Sequence, residues 1–137
     1  MFDFIYEFSV ADKLIIMTFS MIFLHIIADF LVQNNFMSTY KQKKNWDEYT
    51  KDGKYKNDYK VVLLVHSFSW AFITFFPVIL YTKSITFYAI VINVNTFIHA
   101  VIDDLKCNDL GIDLATDQLL HIGQIIATII MSYFIAL

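Results

Sequence analysis

The sequence predicts an all-α, polytopic membrane protein: four transmembrane helices in one bundle, a single transmembrane domain over residues 1–137 with no separate soluble domain. Two observations carry this. Hydrophobic residues make up 58% of the chain, against about 45–50% in an ordinary soluble domain. The excess is gathered into four blocks of roughly 18–24 residues, the length that a bilayer core demands of a helix.

The elements follow in order. Residues 1–12 mix Phe2, Phe4, Ile5, Tyr6 and Phe8 with Asp3, Glu7 and Asp12, a pattern open to an interfacial turn or to the first turns of a helix. This acidic start has no basic n-region and no small-residue cleavage site after the first apolar run. That run therefore reads as a retained helix rather than a secretory signal. The first helix is expected over 13–37. Residues 38–60 form the one long polar loop, with Gly53 and seven lysines against four acidic residues.

A second helix is expected over 61–81, with Pro77 near its far end removing a backbone hydrogen bond. Residues 82–84 make a tight connection into a third helix over 85–106. Residues 107–113, including Asn108 and Gly111, make another, and the fourth helix fills 114–137. The single cysteine, Cys107, excludes an internal disulfide and a cysteine-rich zinc site; it reads as a small residue at a helix end. Lysine placement orients the bundle. The long loop and Lys106 flank one side, and only Lys13 and Lys83 flank the other. The positive-inside rule puts the loop in the cytoplasm and both termini outside an inner, cell membrane.

Each helix carries one histidine, and all four fall toward the loop side, at about 8–13 Å from the helix ends at 1.5 Å rise per residue. His25, Asp29 and Gln33 recur at i, i+4 and i+8, so they share one helical face. Asp103 follows His99 by four residues, with Lys106 one turn on and Asn95 one turn before. Asp117 precedes His121 by four residues, and Gln124 follows it by three. His66 opens the second helix alone, with Trp70 where another polar residue would be half expected.

A carboxylate at the centre of a spanning helix costs about 2.5–3.5 kcal/mol on insertion scales, and Lys106 offsets only one of Asp29, Asp103 and Asp117. A metal site for one or two divalent ions would offset the rest. His25, Asp29, His66, His99, Asp103, Asp117 and His121 are the candidate ligands, in the manner of bundle-core metal sites. Gln33, Asn95, Gln118 and Gln124 are candidates for orienting the imidazoles. Nitrogen and oxygen donors without thiolate suit Zn, Mn or Fe and do not separate them. The plainer reading is a hydrogen-bonded network without metal, and it is the default for a lone intramembrane histidine. Three His/Asp pairs at helical spacing tip the balance toward metal or chemistry.

The segments HIIADFLVQ, the isolated His66, HAVIDDLK (His99 to Lys106) and DQLLH (Asp117 to His121) resemble the domain of unknown function 3307 family, small integral membrane proteins of bacteria and their phages. The resemblance spans all four helices. It implies a four-helix membrane protein with polar residues at His25, Asp29, Gln33, His66, His99, Asp103, Lys106, Asp117, Gln118 and His121. Trp70 departs from an even pattern, and the Lys/Tyr-rich loop is not part of it. The general design is also similar to that of membrane-bound metal-dependent hydrolases, which is analogy alone.

The functional expectation is a metal-dependent hydrolase acting on a phosphoester at the cytoplasmic face. Asp29 and Asp103 would serve the chemistry, and Lys106 would hold phosphate or, more plainly, snorkel to the interface. The substrate would be an anionic lipid or a phosphorylated small molecule. The loop lysines, set among Tyr40, Trp46, Tyr49, Tyr55 and Tyr59, suit an anionic membrane surface, or are simply the solvated basic segment that topology requires. No binding to duplex nucleic acid is expected, and a homo-oligomer is left open. The rival classes are an ion or metal transporter subunit and a non-catalytic scaffold. Transport would need polar residues through the far half. There the helices are nearly all Ile, Leu, Phe and Met, broken by Thr18, Thr74, Thr128 and Ser132, with Asn93 and Asn95 reaching mid-membrane. A cup fits better than a channel. The chain has no arginine, no Gly-rich phosphate loop and no nucleophile elbow. In sealed cells Lys43 should resist an impermeant amine reagent and react once the membrane is opened; labelling of Lys43 in intact cells would reverse the orientation.

Overall fold

The computed structural model describes residues 7–49, 54–109 and 111–135. Residues 2–6 of the aromatic and acidic start, Lys51 and Gly53 of the loop, and the last two residues expected in the fourth helix lie outside them. Among the described residues, seven α-helices follow in order: α1 (Val10–Ile26), α2 (Asn35–Tyr40), α3 (Lys43–Tyr49), α4 (Asp58–Thr74), α5 (Phe76–Thr82), α6 (Ile85–Asp104) and α7 (Leu114–Ile135). Two wider π-helical turns continue α1 over Ile27–Val32 and α6 over Leu105–Asp109. Together these elements give four spans long and apolar enough to cross a membrane, Val10–Val32, Asp58–Thr82, Ile85–Asn108 and Leu114–Ile135. No strand is present among the described residues.

The boundaries have local causes. Ser9 caps α1 by accepting the Asp12 N–H at 3.2 Å, so the helix starts at Val10 rather than at 13. It also stops at Val32 instead of running to 37. Gln33 is extended (ψ 106°), and the Asn34 side chain caps α2 by accepting the Met37 N–H at 2.9 Å. Asparagine is a strong N-cap because its oxygen satisfies an otherwise orphaned helical N–H. The expected loop over 38–60 is thus partly helical, in α2 and α3.

Pro77 does not sit inside a continuous helix. The chain breaks at Phe75 (φ −94°, ψ 7°) and restarts as α5 with Pro77 in its first turn, where the missing N–H is not needed. Lys83, at φ 54°, turns the chain into Ser84, which caps α6 through the Phe87 N–H at 3.2 Å. Gly111, at φ 57°, turns the other tight connection, in a conformation that suits a residue without Cβ. Asp113 then accepts the Thr116 N–H at 2.7 Å, and that backbone hydrogen bond draws its exposed carboxyl below the usual carboxylate range.

The bundle is polar inside and apolar outside. Phe19, Phe97, Leu119 and Phe134 are exposed, whereas His25, His66, His99, Asp103, Asp117, His121 and Gln124 are buried. That inversion suits lipid rather than water as the surrounding solvent. Helix α4 packs chiefly on α6, while α1 bridges α4 and α7. Away from the lysine-rich end the interior is closed by Met17, Met21, Phe75, Val78, Phe87 and Val91. Ser67 and Ser132, both buried, turn their hydroxyls back to Leu63 and Thr128 carbonyls at 2.8 Å; such bonds satisfy a hydroxyl without water. The buried ionisable residues occupy one half of the bundle, a cup whose far end holds hydroxyls such as those of Thr74, Thr128 and Ser132 among apolar side chains.

Candidate metal centre

Asp103, in the last turn of α6, is the hub. Its side chain is only 3% exposed, and four cationic or imidazole groups from three other elements and its own helix surround it. The Lys41 ammonium donates to Oδ2 at 2.6 Å, and His66 Nε2 lies 3.4 Å from the same oxygen. His99 Nε2 and His121 Nε2 each lie 3.7 Å from Oδ1. His66 and His99 face each other, Nε2 to Nε2, at 3.4 Å. A tetrahedral ion with ligand distances of about 2.0–2.2 Å holds its donors about 3.3–3.6 Å apart. The spacing around Asp103 is close to that.

Among the described residues, two overlapping triads could hold a metal ion, His99/Asp103/His121 and Asp29/His66/His99, each with donor atoms within 4.8 Å of one another. His99 belongs to both. A neutral imidazole has a single lone pair, so His99 can serve one ion at a time.

The imidazole of His121 is held in a defined tautomer. Its Nδ1 lies 3.2 Å from Gln124 Oε1. The Gln124 amide donates to the Asn95 backbone and side-chain oxygens at 3.1 and 3.2 Å, and the Asn95 amide donates to Thr128 Oγ1 at 3.2 Å. With every amide so oriented, Gln124 can only accept, and His121 Nδ1 carries the proton. Nε2 is aimed between Asp103 and Asp117, whose Oδ1 is 3.4 Å away. Both His121 Nε2 and Asp117 Oδ1 are buried without a hydrogen-bond partner. A lone pair facing two carboxylates is repulsive, so either a second proton on Nε2 or a cation must lie between them; with Nε2 deprotonated, these residues fit a metal ion. Gln124 and Asn95 take the orienting role expected of them.

His25 does not take the expected ligand role. The Trp70 indole N–H donates to His25 Nδ1 at 3.0 Å, and His25 Nε2 lies 3.1 Å from Gln118 Oε1. The Gln118 amide nitrogen faces Asp117 Oδ2 at 3.1 Å and Asp29 Oδ2 at 3.3 Å. Gln118 must therefore accept from His25 Nε2–H, and neither nitrogen of His25 has a lone pair to spare. His25 instead aligns Gln118, and through it two carboxylates. Gln33 also departs from expectation: it touches no imidazole. With its amide turned to satisfy both neighbours, it donates to the Asp29 carbonyl at 3.2 Å and accepts from the Lys41 ammonium at 2.9 Å.

Lys106 donates to Asp117 Oδ2 at 2.6 Å. Above the imidazoles, Asp29, Asp103, Asp117, Lys41, Lys106 and Gln118 line a pocket of about 120 Å³ at the lysine-rich end. Three carboxylates against two ammonium groups leave one negative charge in excess.

Sequence reasoning missed two residues here. Lys41 looked like any of the seven lysines of the loop. It is buried because Asn108 pins the α2–α3 corner to the end of α6, accepting the Lys43 N–H at 2.8 Å and donating to the Lys41 carbonyl at 3.3 Å. Trp70 looked like an apolar gap in a polar pattern. Its indole supplies the missing polar group, and its ring stacks on His99 with centroids 4.1 Å apart; the four-residue spacing from His66 was the available signal.

No family model matches this chain, and neither a curated protein nor a solved structure matches it. Fold and site together define a helical membrane bundle with a buried His/Asp group that could hold a metal ion. Trp70→Phe keeps the stacking ring but leaves His25 Nδ1 without its donor. Its expected cost is about 1–3 kcal/mol, read as a lowered unfolding midpoint in detergent; an unchanged midpoint would remove His25 from the network.

Proposed function

We propose that the protein binds one divalent ion in its membrane-embedded cup and uses it to hydrolyse a phosphoester. The observation that carries this is Asp103 Oδ1 with His99 and His121 nitrogens at 3.7 Å, at the floor of a pocket rimmed by lysines. His99, Asp103 and His121 would hold the ion, with His66 and Asp117 at its edge. One ion is favoured over two because Lys41 already offsets a second carboxylate and His99 is shared.

A divalent ion there would supply Lewis acidity toward a phosphoryl oxygen. Asp29, which lines the pocket with His25 Nδ1 3.6 Å from its carboxylate, would accept a proton from an attacking water. Lys106 is placed at the rim to meet an anionic substrate. The metal is Zn, Mn or Fe by donor chemistry, and the substrate an anionic lipid head group or a soluble phosphorylated molecule. The cup faces the cytoplasm in this reading, with both termini outside. The resemblance to the domain of unknown function 3307 family belongs to the same proposal.

A second reading has its own support. The Lys41–Asp103 and Lys106–Asp117 pairs, each 2.6 Å, are what a polar network serving only the fold would contain. Transport is disfavoured by the apolar closure around Met17, Met21, Phe75 and Val78. Metal analysis of detergent-purified protein decides between them. The wild type should carry close to one equivalent of metal, and His99→Ala should lose most of it. The loaded wild type should also release phosphate from a panel of lipid and soluble phosphoesters. Metal-free wild type after incubation with Zn, Mn and Fe would leave the network reading, and stoichiometric metal with no phosphate release would end the hydrolase.

A further inference from the structure

We propose that Lys41 is the phosphate-binding residue of this site and that its ammonium becomes available to phosphate only when a dication takes charge from Asp103. The proposal rests on the metal reading above and adds to it a ligand, a residue and an order of binding.

Lysines on an exposed basic segment ordinarily point to solvent. Lys41 is buried, with its ammonium 2.6 Å from Asp103 Oδ2. Its backbone is held by Asn108 and its ammonium is met by Gln33 at 2.9 Å. This is a built position, reached across 62 residues of sequence. Asp103 is also the one carboxylate in the His99/Asp103/His121 group. Lys41 and a dication thus draw on the same carboxylate, Lys41 through Oδ2 and the ion through Oδ1.

Charge sets the order. Without a dication the pocket residues carry one negative charge in excess, and a phosphate dianion is repelled. With a dication the excess becomes one positive charge. The Lys41 ammonium then neighbours an ion of like sign and a carboxylate whose charge is already shared, and an anion in the pocket relieves both. The pocket, about 120 Å³ and open at its mouth, has room for a tetrahedral oxyanion. Lys41 and Lys106 line the pocket from different elements, the α2–α3 corner and the turn that continues α6, so two ammonium groups can meet different oxygens of one phosphate. Linkage makes the coupling reciprocal: phosphate raises metal affinity by the same factor as metal raises phosphate affinity.

The test is calorimetric titration of the purified full chain with zinc alone, and then with inorganic phosphate before and after zinc loading. Phosphate should bind only the zinc-loaded protein. Lys41→Gln should bind zinc about tenfold more tightly, since a competing charged hydrogen bond is gone, yet bind phosphate at least about tenfold more weakly. Lys41→Arg should keep phosphate binding. Zinc binding with Lys41→Gln unchanged toward phosphate would overturn this assignment and leave the metal site standing. Absence of zinc binding by the wild type would overturn the metal reading itself.

A measurement on the wild type covers the case in which Lys41→Gln does not fold. Acylation of Lys41, followed by mass spectrometry, should rise on zinc loading and fall again when phosphate is added. Protection of Lys41 that zinc does not change would overturn the proposal. Repeating the phosphate step with phosphatidic acid in nanodiscs and with soluble glycerol phosphate distinguishes a lipid source from a free one; protection by neither would also overturn it.

Discussion

A carboxylate buried inside a membrane-spanning bundle is the constraint from which the rest of this structure follows. Taking an ion out of water costs several kcal/mol even after the protein relaxes, and no water in the hydrocarbon core can repay it. Asp103 meets that cost with one ammonium and three imidazoles, drawn from α4, α6, α7 and the α2–α3 corner. No pair of helices could assemble that set. The four spans must converge, and the segment after α1 must fold back to bring Lys41 in. Breaking one partner leaves the others facing an uncompensated charge, so the fold and the site are coupled through this one side chain.

The supporting network has two arms with different jobs. Thr128, Asn95 and Gln124 fix the proton of His121 on Nδ1 and so aim Nε2 at the carboxylates. Trp70, His25 and Gln118 use up both nitrogens of His25 and point an amide at Asp29 and Asp117. The first arm builds a donor and the second places acceptors around it. Both arms are built from protein groups and end at His121 Nε2 and Asp117 Oδ1, which have no hydrogen-bond partner of their own. The wider π-helical turns after His25 and Asp103 lie beside this network, where such irregularities often occur in helices that carry a site.

The spans were legible because bilayer thickness imposes a length that composition alone reveals. The His/Asp pairs were legible because i, i+4 spacing is a local property of one helix. What escaped was set by contacts between distant segments. His25 looked equivalent to His99 and His121, and only the indole of Trp70, 45 residues away, shows why it is spent on hydrogen bonds. Lys41 was one lysine among seven until Asn108 tied its backbone to α6. The early end of α1 was obscured because apolar Phe36 and Met37 extend the hydrophobic run past Asn34, whose capping preference won locally. Pro77 marked a real interruption, but the break fell at Phe75, which places the proline at a helix start rather than in its middle.

X-ray absorption at the zinc edge of the zinc-loaded protein tests the central claim most directly, because it reports the donor atoms themselves. The account predicts at least two imidazole nitrogens and one carboxylate oxygen at about 2.0–2.2 Å, with the imidazole signal reduced in His121→Ala. A shell of oxygen alone, or a spectrum indifferent to His121, would contradict it.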